Sequence, residues 1–141
     1  KGVKIKAVPV FHDTSQGKER GKNNLFAFEL DGIRVAFLGD LGHILTPEQI
    51  QELEKPDLVL MPVGGYFTID AEQAHKLTGL LKPSIVIPMH YKTDKVQLPI
   101  KPAEPFLKLF AKVKKLDAAE VLLKKSELPK STEVWVLKYA C

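Results

Sequence analysis

The sequence predicts an α/β domain in which one mixed sheet is covered by helices, and three observations carry that prediction. Residues 57–62 and 84–89 are short, nearly all-apolar runs, the composition of strands buried on both faces. Between them, Ala71, Ala74, Leu77, Leu80 and Leu81 recur at helical spacing behind Asp70. Upstream, residues 25–30 and 33–38 flank Asp31-Gly32, a two-residue hairpin signal. A hairpin followed by alternating strands and helices folds as a sheet with helices packed on it.

The other elements follow in chain order. Residues 3–10 are β-branched with partial alternation and read as a strand, and residues 13–24 form a long polar loop holding Gly17 and Gly21. Thr46-Pro47-Glu48-Gln49 supplies an N-cap, a proline at the first helical position and a glutamine to close a capping box, starting a helix that runs to about Glu54. Residues 104–116 read as an amphipathic helix, with Phe106, Leu107, Phe110 and Val113 inward and lysines outward. Two last strands are expected near residues 120–123 and 133–139. Helices on one face leave the other face of the sheet needing cover.

Composition narrows the function classes. The 141 residues are 45% hydrophobic, 27% charged and 8% aromatic, which suits one domain with a real core. No run approaches the roughly 20 apolar residues of a membrane span, and the N-terminus carries no secretory h-region. Cys141 is the only cysteine, so neither an internal disulfide nor a cysteine-based zinc site can form, and a reducing, cytoplasmic setting is expected. The net charge of +4 and pI near 9.1 concentrate in Lys108, Lys112, Lys114, Lys115, Lys124, Lys125 and Lys130. Phe110 alone falls among those lysines, on the inward face, which is not the base-stacking surface required, so they read as a solvated face and nucleic acid is not an expected partner. The opening Lys1-Gly2-Val3-Lys4-Ile5 is already strand-like, and a fragment or processed product is expected.

Three apolar strands each end in a metal-binding residue type. Val8-Pro9-Val10-Phe11 runs into His12, Val35-Ala36-Phe37-Leu38-Gly39 into Asp40, and Ile85-Val86-Ile87-Pro88-Met89 into His90. In α/β sheets, ligands bind outside the carboxyl ends of the strands. Imidazole and carboxylate together suit zinc, iron or manganese. His43, three residues after Asp40, is a candidate catalytic or substrate-contacting residue, or a turn stabiliser. Arg20 and Asn23 in the polar loop are candidates for binding an anionic substrate, with a structural salt bridge and an Asn turn as the alternative. Tyr66 and Thr68 would border the cleft if Gly64-Gly65 lets the backbone pass close to a ligand, and Lys92 is a further candidate anion contact. His75 sits inside the second helix as a partly exposed residue.

The order His, Gly-Asp, Pro-x-His resembles the third, fourth and fifth metal-binding motifs of the metallo-β-lactamase superfamily. Phe11-His12-Asp13, Arg20-Gly21-Lys22-Asn23, Gly39-Asp40-Leu41-Gly42-His43, Pro62-Val63-Gly64-Gly65 and Pro88-Met89-His90-Tyr91 look most like its branch of small metal-dependent hydrolases similar to ascorbate-6-phosphate lactonase. The resemblance covers about residues 8 to 93. It implies the C-terminal half of an αββα sandwich, with one or two divalent ions, zinc first and manganese or iron as alternatives. His12 would bind the first metal, Asp40 would bridge both, and His90 would bind the second. It implies hydrolysis by a metal-activated hydroxide attacking an ester, lactone or phosphodiester in a small-molecule substrate.

The superfamily's H-x-H-x-D-H cluster has no counterpart here. The expectation is that a missing half supplies it, or that the chain works as a homo-oligomer. The rival reading is a catalytically inactive half-fold serving as a binding or oligomerisation module.

Overall fold

The computed structural model describes residues 2–139, so Cys141 lies outside the described residues. The first three strands, β1 (Ile5–Phe11), β2 (Lys22–Leu30) and β3 (Ile33–Phe37), form an antiparallel meander. Helix α1 (Pro47–Glu52), strand β4 (Leu58–Pro62), helix α2 (Ala71–Leu81) and strand β5 (Ile85–Met89) follow. A short α3 (Glu104–Leu107), β6 (Val113–Lys115) and β7 (Glu133–Val136) complete the chain. The seven strands make one mixed sheet in the order β1-β2-β3-β4-β5-β7-β6, parallel from β3 onward.

Helix starts follow the local chemistry. Thr46 and Gln49 close one capping box and Asp70 and Gln73 another, each pair satisfying backbone N–H groups that a helix end leaves unpaired. Ala71, Ala74, Leu77 and Leu81 then turn one face of α2 into the core. They pack with Val8, Val10, Ala36, Val59, Met61, Val86 and Val134, every one a strand residue on the same side of the sheet. Phe106 is fully buried there and rests against Phe110, their ring centroids 4.8 Å apart. Truncating a buried phenylalanine to alanine costs about 3–5 kcal/mol, so Phe106 is a principal anchor of the C-terminal third.

Three expectations are corrected. The helix expected over residues 104–116 stops at Leu107, and Val113–Lys115 pair instead with Val134–Val136. The open edge of β7 offers backbone partners, and Lys114 lies 4.5 Å over the Trp135 ring, so tertiary pairing overrides the local helical pattern. Residues 120–123 form no strand; Leu123 instead packs beside Leu128 and Trp135. The polar loop is shorter than expected, because Lys22 and Asn23 already pair with Phe11 and Val10.

The second face of the sheet is apolar too. Ile33, Val35, Leu58 and Ile85 are buried under Leu123, Leu128 and Trp135 toward β7, but that cover ends before the meander. There Ile5 is 60% exposed, Phe26 37% and Phe37 36%, and with Phe28 they line a hollow of about 330 Å³. No helix of the described residues is long and apolar enough to cross a membrane.

Candidate metal centre

β1, β3, β4 and β5 all run in one direction, so their carboxyl ends meet at a single edge of the sheet. His12 follows β1, Asp40 follows β3, Gly64-Gly65 follows β4 and His90 follows β5. Left-handed backbone turns the chain at three of these ends, at Gly39 (φ 54°), Gly65 and Tyr66 (φ 66° and 63°), and His90 (φ 51°). For Tyr66 and His90 that conformation is strained, and such strain persists where the surroundings fix it, commonly at functional sites.

Asp40 and His90 approach each other, with Oδ1 and Nε2 3.8 Å apart. Two nitrogen or oxygen donors of one tetrahedral zinc sit roughly 3.4 Å apart, from bond lengths near 2.1 Å, so the pair is spaced for a shared ion. Among the described residues, Nε2 of His12 and Nδ1 of His90 are buried with no hydrogen-bond partner. The orphaned His12 Nε2 is a donor a divalent cation would satisfy, whereas on His90 it is Nε2, and not the orphaned Nδ1, that faces Asp40. Asp40 is half-exposed. Among the described residues, no group of three or more His, Cys, Asp or Glu side chains is placed to hold a metal ion, so Asp40 and His90 are brought together but His12 is not grouped with them. The Asp40–His90 pair therefore fits part of a metal site.

Two glycines let the ligand-bearing segments approach. A Cβ on Gly42 would lie 2.2 Å from the carbonyl carbon of His12, and one on Gly64 would lie 2.2 Å from the carbonyl oxygen of His90. The close approach expected at Gly64 is thus to the backbone of a candidate ligand.

Asp13 is buried immediately after His12 and organises the loop beyond it. Its carboxylate accepts from the amides of Ser15, Gly17, Glu19 and Arg20 at 2.7 to 3.1 Å. Burial pushes this carboxyl up, but the four amides, Arg20 foremost, outweigh it and hold the pKa at about 2. Asp13 was not singled out as a functional residue from sequence; its place beside a strand-end histidine and ahead of a glycine-bearing polar loop was the available signal.

The remaining candidates separate. Arg20 swings its guanidinium 5.6 Å over the Phe67 ring, with Glu19 3.9 Å away. Tyr66 is exposed and meets Phe67 edge-on at 4.6 Å, while Thr68 is buried and donates to the Ile69 carbonyl. The Ile69 amide donates to Leu41 O at 2.9 Å, which ties this aromatic loop to the Asp40 turn. Lys92 is exposed just past His90, and Tyr91 beside it is partly buried, its hydroxyl pushed up by burial and by Glu104. His75 is exposed on α2, edge-on to Phe110.

Two assignments change. His43, a candidate for catalysis, accepts the Phe11 amide at Nε2 (3.2 Å), so Nδ1 carries the proton and donates to Ile44 O (2.9 Å). Neither nitrogen is left for substrate; of the sequence readings, the turn-stabilising one matches this geometry. Asn23, a candidate for substrate binding, has both amide atoms engaged by backbone at Leu38 and Asp40.

A surface hollow of about 610 Å³, lined by Lys4, Lys6, Phe28 and Arg34 among others, lies at the opposite edge of the sheet and is lined by no histidine. Donor chemistry, and not hollow size, places the site.

Comparison with known proteins shows the family. A family model described as the beta-lactamase superfamily domain matches residues 1–90. A UPF0173 metal-dependent hydrolase of Thermococcus onnurineus is 44% identical over 94 residues, covering 65% of this chain and 42% of the relative. One of Archaeoglobus fulgidus is 36% identical over 133 residues, covering 89% of this chain and 55% of the relative. The chain spans about half the length of these curated relatives. A solved metallo-beta-lactamase superfamily structure from Thermotoga maritima superposes with a TM-score of 0.81 at 43% identity, over 96% of this chain and 65% of that one. Igni18, a metallo hydrolase of the archaeon Ignicoccus hospitalis, gives 0.56 at 32% identity over 76% of this chain and 44% of its own.

Proposed function

The chain belongs to the beta-lactamase superfamily domain family, and from that premise we propose that it forms the metal-bearing C-terminal part of a metal-dependent hydrolase acting on an ester, lactone or phosphodiester. The observation that carries this reading is the convergence of Asp40 Oδ1 and His90 Nε2 to 3.8 Å at the strand ends. The curated relatives are named metal-dependent hydrolases, which supports the same reading.

When bound, the metal supplies a Lewis acid and lowers the pKa of a water near it; zinc suits the donors best, with manganese and iron as alternatives. His12 and His90 would hold the ion through imidazole nitrogen, and Asp40 through carboxylate oxygen. Arg20, braced on Phe67, and the exposed Tyr66 and Lys92 would receive a small anionic substrate. Asp13 keeps the Arg20 loop folded so that the cation stays beside the aromatic pair.

Asp40 and His90 alone leave the ligand set open, and the bare meander face of Ile5, Phe26, Phe28 and Phe37 needs cover. We propose one answer to both: a further segment carrying the remaining ligands packs on that face, as the greater length of the relatives supports. A panel of chromogenic esters, lactones and phosphodiesters, assayed with and without added zinc, manganese or iron, tests the activity. Metal-dependent turnover lost in Asp40→Asn supports it. Turnover indifferent to a chelator contradicts it, and metal binding without any turnover favours the binding-module reading.

A further inference from the structure

The hydrogen-bonded ladder between β2 and β3 ends at Phe26 and Phe37, before the chain reaches Asp40. A side chain continues it. Asn23, on β2, donates from Nδ2 to Leu38 O at 3.0 Å, and its Oδ1 accepts from the amide of Asp40 at 3.3 Å. The two bonds bracket Gly39, whose φ of +54° turns the chain, and Oδ1 lies 2.7 Å from where a Cβ on Gly39 would stand. The far side of the same turn is fastened separately, with Gly42 N donating to Phe11 O at 3.1 Å and His43 accepting from Phe11 N. Asp40 thus hangs between two fastenings, and Asn23 is the one that reaches its own amide.

We propose that Asn23 is a positioning residue that sets the direction in which Asp40 presents its carboxylate to the metal, a role that rests on the metal reading of Asp40 above. A carboxylate on a short glycine turn has several rotamers and a mobile backbone. Bonding the amide of the ligand residue itself removes the backbone part of that freedom. A donor and an acceptor on one side chain are needed, because Leu38 offers a carbonyl and Asp40 an N–H; the Asn23 amide supplies both with the reach seen here. Partners that orient a metal ligand are worth about 10–100-fold in metal affinity.

Cobalt(II) titration of the chain, read by visible absorption, tests this. Asn23→Ala is expected to bind cobalt about 10–100-fold more weakly than wild type, with an altered spectrum. Asn23→Asp, which keeps the acceptor facing Asp40 N–H, is expected to lose less. Phe106→Leu, a core change remote from the turn, controls for destabilisation and is expected to keep the wild-type spectrum. Wild-type affinity and spectrum in Asn23→Ala would overturn the proposal, as would an Asn23→Asp no better than Asn23→Ala. A wild-type chain with no saturable cobalt spectrum would overturn the metal reading of Asp40 and this role with it.

Discussion

Asp40 Oδ1 and His90 Nε2 face each other at 3.8 Å although they follow β3 and β5, which are not neighbours in the sheet. β4 lies between them and is followed by Gly64-Gly65, where the backbone passes close to the His90 carbonyl. Asp40→Asn is therefore expected to lower bound metal far more than His43→Ala, whose ring nitrogens serve only backbone. Elemental mass spectrometry on both variants checks this, and equal retention would contradict the role given to Asp40.

The bare strand end predicts the effect of filling it. In Gly64→Ala the new methyl would meet the His90 carbonyl oxygen at 2.2 Å, a contact only backbone movement can relieve. Overpacking of this kind costs about 1–3 kcal/mol, measurable as a lower urea midpoint. Because the atom displaced belongs to His90, metal affinity should fall along with stability.

Asp13→Asn tests how the loop after His12 is held. The carboxylate accepts four backbone amides, and an amide side chain would set an NH₂ against two of those donors. Limited proteolysis is expected to cut within residues 14–20 faster in the variant than in wild type, with the sheet core intact.

Asp57 predicts a pH dependence. Burial pushes its carboxyl up, but hydrogen bonds from Lys125 Nζ (2.6 Å) and Arg34 N (2.8 Å), with the charges of both residues, bring it below the ordinary carboxylate value. A depressed folded-state pKa stabilises the fold above the unfolded value, about 3.9, and that contribution is lost as pH falls through the folded value. The stability gap between wild type and Asp57→Asn is accordingly expected at pH 7 and should close below about pH 4. A gap unchanged from pH 7 to pH 3 in denaturant titrations would contradict this.

How much was legible in the sequence depended on how local the signal was. The hairpin at Asp31-Gly32, both capping boxes and the buried strands β4 and β5 rest on nearest-neighbour chemistry, and each appears where that chemistry places it. The ends of the three ligand-bearing strands were legible for the same reason. The 104–116 segment was not, because its fate depends on the open edge of β7 and on Trp135, some twenty residues later in the chain. His43 and Asn23 were chosen for their residue type, but their roles lie in which backbone groups fold up against them, at Phe11, Leu38 and Asp40. Asp13 was missed for a related reason, since four amides from its own loop converge on it only after folding.

The central proposal is that His12, Asp40 and His90 serve one metal centre, of which Asp40 and His90 are the pair already spaced for a shared ion. The most direct test is to follow the histidine imidazole nitrogens by ¹⁵N NMR while zinc is added, since the four histidines report separately and weak binding suffices. The resonances of His12 and His90 are expected to shift together in one saturable step, while His43 and His75 stay in place. A folded chain in which zinc leaves His12 and His90 unmoved, or moves His75 instead, would contradict the account.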